Sequence, residues 1–209
     1  NSSKWDKYYK QTANIDASST QYWDDSDDNS DGDNYNDTND GTSSGNNEGF
    51  KQIGIHFSTG FTGTYDGNSY KIDNLTINRS SESYVGFFGA AVSATITKLG
   101  LSNVNITGAA EVGSLVGYNE STPVSYCYST GSVSGSGSHV GGLVGINPFS
   151  TISNSYSIVS VSGTGSGDGG LVGMIVMNAT IDNCYSTGSV SGNGSDIGGL
   201  VGYSSTDDD

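Results

Sequence analysis

The densest chemistry in the sequence is a run of carboxylates between Trp23 and Phe50, where eight Asp fall in the seventeen positions from Asp24 to Asp40. Asp27-x-Asn29-x-Asp31-Gly32 has the alternating oxygen donors and sharp glycine turn that open a calcium loop. Asp33 and Asp37 extend that set, so Asp27, Asn29, Asp31, Asp33 and Asp37 are the candidate Ca2+ ligands. An EF-hand would put a bidentate Glu where Thr38 stands, and no flanking helices are legible. The expected form is therefore an irregular or thrombospondin-like loop. A plain solvated acidic loop is the competing outcome for such a run.

The other reactive groups are scattered. His56 and His139 sit far apart, outside any Cys/His spacing that holds a metal. There is no nucleophile elbow, phosphate-binding fingerprint or zinc-protease helix. Glycoside hydrolysis needs two acids a few ångströms apart. Glu111, Glu120, Asp168, Asp182 and Asp196 form no such ladder, with only Asp168 and Asp196 near one turn. Catalysis is not expected. Hydroxyls recur at Ser132, Ser134, Ser160, Ser162, Ser189 and Ser191, but Thr130 and Thr187 are interrupted by Ile158, which breaks an ice-binding ladder. Tyr128, Tyr156 and Tyr185 also recur at one spacing, a weak signal for sugar stacking.

Charge narrows the classes further. The chain has 22 acidic and 7 basic residues, a formal net charge of −15, and no Lys or Arg after Lys98. Binding to nucleic acid or an anionic membrane needs clustered cations, so both are excluded as partners. No apolar run is long enough to span a bilayer. Asn1-Ser-Ser-Lys-Trp5 is not a signal peptide; export would imply that one has been removed. The Asn/Ser/Thr/Gly-rich surface suits an extracellular setting.

What positions these groups is a repeat. Glycines 89, 117, 145 and 173 are 28 residues apart, and Gly202 follows after 29. Around them recur Val112-Gly-Ser-Leu-Val-Gly117, Val140-Gly-Gly-Leu-Val-Gly145, Gly169-Gly-Leu-Val-Gly173 and Ile197-Gly-Gly-Leu-Val-Gly202. A second block recurs as Ser125-Tyr-Cys-Tyr-Ser-Thr-Gly-Ser-Val-Ser-Gly135, Asn154-Ser-Tyr-Ser-Ile-Val-Ser-Val-Ser-Gly163 and Asn183-Cys-Tyr-Ser-Thr-Gly-Ser-Val-Ser-Gly192. The segments alternate with period two, and a single unit has too few apolar residues to bury a core alone. Stacking aligns Val133, Val161 and Val190, then Val124, Ile152 and Ile181, then Leu115, Leu143, Leu171 and Leu200. The fold expected is all-β: a parallel β-solenoid of about 28 residues per coil, right-handed by the general chirality of parallel crossovers. The glycines fit either turns at positive φ or close backbone approach. Cys127 and Cys184 are equivalent positions two coils apart, with Ser155 between them. At about 4.8 Å per coil their Cα atoms lie roughly 9 to 10 Å apart, beyond the ~7 Å that a disulfide spans. Both are expected to be reduced.

The glycine-leucine-valine-glycine block and its Asn-x-Tyr-Ser partner resemble the GLUG-motif repeats of bacterial and archaeal secreted surface proteins. Thr12-Ala-Asn-Ile-Asp-Ala-Ser18, Phe61-Thr-Gly-Thr-Tyr-Asp-Gly-Asn68, Tyr70-Lys-Ile-Asp-Asn-Leu-Thr-Ile77 and Val85-Gly-Phe-Phe-Gly89 are similar to the leader and opening coil of that family. Asn14 stands where the family usually has the first Asp of its leader strand. The resemblance divides the chain into leader coils at 1–84, with the Asp-rich insert at 24–48, and a repeat solenoid at 85–209. It implies a non-catalytic, adhesin-like β-solenoid at the cell surface, a stalk segment or a subunit of an extracellular filament. The partners it implies are copies of itself, neighbouring surface proteins or glycans.

Overall fold

A computed structural model of the chain describes residues 5–23 and 48–205. They form a parallel β-solenoid of about five turns with about 28 residues per turn. Each repeat coil visits four faces in order: Val112–Gly113, Val116–Glu120, Val124–Ser125 and Tyr128–Gly135. The next coil restarts at Val140–Gly141. Stacking generates faces of four, five, six and eight strands, and consecutive coils pair in parallel on each.

The register is that of the sequence repeat. Val133 lies opposite Val161 and Val161 opposite Val190, while Val124, Ile152 and Ile181 form a second column. Val124, Ile152, Leu115, Leu143 and Leu171 are fully buried. Leu200 is 37% exposed because no described coil covers it. Burying a Val or Leu side chain contributes about 1.5–3 kcal/mol, and only the stack of coils makes that burial possible.

The repeated glycines serve close approach and not positive φ. A Cβ on Gly117 would lie 2.6 Å from the carbonyl carbon of Tyr84, and one on Gly145 would lie 2.6 Å from that of Glu111. Gly131 and Gly167 apart, the left-handed conformations of the repeat fall on other residues at the coil corners. One corner column holds Tyr84, Glu111, His139 and Asp196 at φ 59°, 49°, 64° and 62°, and another holds Lys98, Tyr126, Asn154 and Asn183 at φ 54°, 55°, 48° and 52°. Such residues are uncommon outside Gly, Asn and Asp, and here backbone hydrogen bonds between coils hold them: Tyr126 N–H donates to Ser153 O, and His139 N–H to Ser166 O.

The leader joins the same faces. Tyr8–Lys10 pairs with Thr64–Asp66, which pairs with Thr95–Thr97, and Ile15–Asp16 pairs with Lys71–Asp73. It packs aromatic rings against the opening coil: Phe61 lies 4.8 Å from Phe88 between ring centroids, and Phe50 stacks on Phe87 at 5.4 Å.

Candidate functional site

The predicted calcium ligands Asp27, Asn29, Asp31, Asp33 and Asp37 lie outside the described residues. Among the described residues no three His, Cys, Asp or Glu side chains gather to hold a metal ion.

The cysteines behave as core groups. Both are free; Cys127 is buried and Cys184 partly so. The Cys127 N–H donates to Ser155 Oγ at 3.1 Å, which puts the Ser155 coil against it as the repeat demands. Burial pushes the Cys127 thiol up to about 12, so it carries no thiolate at neutral pH.

The acids of the repeat coils do not pair, although in the leader Asp16 stands opposite Asp73. Asp168 is opposite Ile197 in the four-stranded face, in the column otherwise formed by Val85, Val112 and Val140. It is fully buried against Gly163, and neither carboxylate oxygen has a well-formed hydrogen bond. Burial pushes its pKa above the ordinary value, and the Val140 N–H and His139 offset only part of that. Asp196 is exposed at the corner, bonded to its neighbour Ser195 at 2.9 Å. Asp168 is thus a core carboxyl, whereas Asp196 is a surface one, and the shared turn gives them no joint chemistry. His139 approaches Glu111 at 3.6 Å, a single contact without a third member.

The eight-stranded face carries the organised chemistry. Tyr128, Tyr156 and Tyr185 stand in one column with ring centroids 5.1 and 4.9 Å apart and ring planes within 6° of parallel. Parallel strands bring equivalent residues to the inter-strand spacing of about 4.8 Å, which suits offset ring stacking. Beside them Thr130 lies opposite Ile158, which is 46% exposed, so the threonine column is broken as its sequence implies. Ser132 with Ser160, and Ser134 with Ser162, continue the face as hydroxyl columns.

Two features of this face escaped the sequence reading. The residue paired with Tyr128 in the preceding coil is Gly100, so the tyrosine column stops at a position without a side chain. The adjacent corner column then places Lys98 and Tyr126 beside that vacancy, and Ser69, Lys98, Gly100, Tyr126 and Tyr128 line a cavity of about 320 Å3. Counting back 28 residues from Tyr128 would have found Gly100. Nothing in the local sequence announces the left-handed corner that turns Tyr126 outward.

Comparison with known proteins agrees with the repeat. The GLUG motif matches residues 108–134. Halomucin from Haloquadratum walsbyi is 36% identical over 89 residues, 42% of this chain but 1% of its own length. A crystal structure of a candidate immunoglobulin A1 protease from Bacteroides ovatus superimposes with a TM-score of 0.70 at 24% identity, over 95% of this chain and 56% of that one. The last likeness is one of fold. Motif, register and fold coincide: residues 108–134 carry the GLUG motif, and the chain presents it on a parallel β-solenoid.

Proposed function

We propose that the chain is a non-catalytic segment of an extracellular surface protein, a stiff solenoid that holds an adhesive face away from the cell. The observation that carries this reading is the eight-stranded face, where tyrosine and hydroxyl columns stand outward on a stack held by an apolar core. Among the described residues the acids of the repeat coils form no close carboxylate pair, and the best-buried carboxyl, Asp168, faces inward, which suits a scaffold better than a hydrolase. The likeness to halomucin supports a surface location, as does the cation-poor composition. The chain spans about half of the solved relative and a hundredth of halomucin, so the segment serves within a larger architecture in this reading.

Calcium at Asp27, Asn29, Asp31, Asp33 and Asp37 belongs to the same proposal, on ligand type alone. Calorimetric titration should show binding at or below millimolar Ca2+, and a flat titration removes calcium from the reading. The surface role is tested by labelling intact producing cells with antibodies against the repeat coils. Surface label is expected; label seen only after permeabilisation overturns it.

A further inference from the structure

The cavity beside Gly100 has the chemistry of a ligand site. The three parallel rings of Tyr128, Tyr156 and Tyr185 end there, and a side chain at Gly100 would collide with the Tyr128 ring that leans across it. Tyr126 stands 59% exposed at the cavity's edge. Lys98, the last Lys or Arg in the sequence, also lines the cavity and is exposed; its backbone bonds to Ser125 and Ser69, while its ammonium makes no hydrogen bond or ion pair to another described residue. Lys71 differs, since its ammonium is held 2.9 Å from Asp73. No carboxylate lines the cavity. Asp66 is the acid nearest in effect: the Asn68 N–H chiefly holds its carboxyl low, with Tyr8 and the charges of Lys98 and Lys10 contributing.

Two aromatic side chains, a serine hydroxyl and one uncommitted cation are a recognition set for a flat, hydroxylated, anionic ring. The C–H face of a pyranose is apolar and stacks on tyrosine, which buries it without stranding a polar group. Its carboxylate or sulfate gains a charge-assisted hydrogen bond from a lysine that has no competing partner. A nucleic acid would need several cations and meets a strongly acidic chain instead. We propose that the Gly100 cavity binds one anionic pyranose residue of a glycan, stacked on Tyr126 and Tyr128 with its acidic group on Lys98. This deepens the adhesive reading above and rests on it for the setting in which such a glycan is met.

The corner column supplies substitutions that keep the fold. Asn154 and Asn183 already occupy it in the same left-handed conformation, so Lys98→Asn and Tyr126→Asn install the residue that neighbouring coils use. Calorimetric titrations at low salt with tetra-galacturonate, a sulfated galactose tetramer and neutral galactotetraose read the site. At least one acidic tetramer is expected to bind at least tenfold more tightly than the neutral one, and which acid does so identifies the source of charge. Lys98→Asn should erase that preference, and Tyr126→Asn should weaken acidic binding at least tenfold, with unchanged circular dichroism in both. No binding of either acid by the parent protein, equal binding of acidic and neutral tetramers, or binding indifferent to both substitutions overturns the proposal. Surface labelling of cells is independent of these outcomes, so a silent titration beside positive labelling removes the sugar site and leaves the surface role.

Discussion

The leader and the repeat solve the same packing problem by different means. Where the leader meets the opening coil, large rings of Tyr9, Phe61, Phe87 and Phe88 fill the interior, and the leader also buries one cation: Arg79 bonds to Glu82 at 3.0 Å and Glu48 at 3.3 Å. In the repeat, the interior is columns of Val, Ile and Leu, and some of its polar side chains bond along the stack while the Ser129, Ser157 and Ser186 hydroxyls do not. Asn119 donates to Asn147 at 2.6 Å and Ser114 to the Gly142 carbonyl at 2.6 Å. Irregular coils of unequal length cannot place like above like, so they fill space with rings and a specific ion pair. Equal coils can, and a small side chain then serves because the next coil repeats it. Asp168 is the exception within the regular half, a charged group where the column calls for a Val.

If the repeat depends on unbroken apolar columns, Val161→Asp has the largest effect. It puts a carboxylate without a partner at a 1% exposed position and should cost about 3–5 kcal/mol or abolish folding. An unaltered urea midpoint would show that the column is not the source of stability.

The converse change, Asp168→Val, should stabilise by about 2–3 kcal/mol, because it removes an unpaired buried carboxyl and restores the column. The sign of its pH dependence follows from the raised pKa. Ionised Asp168 destabilises the native state above its folded pKa, and that penalty is relieved as pH falls through it toward the ordinary 3.8. Urea melts of parent and variant should therefore differ most near neutrality and converge toward pH 4. A gap that is constant with pH would mean that folding does not raise the Asp168 pKa.

In the leader, Arg79→Met should cost about 1–3 kcal/mol, since Glu48 and Glu82 keep partial access to water and need not stay desolvated. If hydrogen exchange shows the coils beyond residue 110 loosening as much as those near Arg79, the two halves are one cooperative unit and the contrast is only in composition.

The smallest effect concerns the thiols. Intact mass under non-reducing conditions should show both cysteines reduced, and maleimide should label Cys184 well before Cys127, whose thiol is buried and pushed up to about 12. Equal labelling would mean that the coil over Cys127 opens readily.

The sequence by itself determined the coil length, the parallel stack and the register of its columns. A 28-residue repeat with few apolar residues has one way to bury them, and Val133, Val161 and Val190 take that place together. It also determined that Cys127 and Cys184 stand two coils apart, and that Ile158 breaks the threonine column. Only the tertiary structure decided that the repeated glycines answer to the backbone of an adjacent coil while Lys98, Tyr126 and His139 take the left-handed corners. The same holds for the burial of Asp168 and for the cavity where Gly100 leaves the tyrosine column open. Those features depend on what lies one coil away, about 28 residues distant in sequence but one strand spacing distant in space, and no local pattern reports that contact.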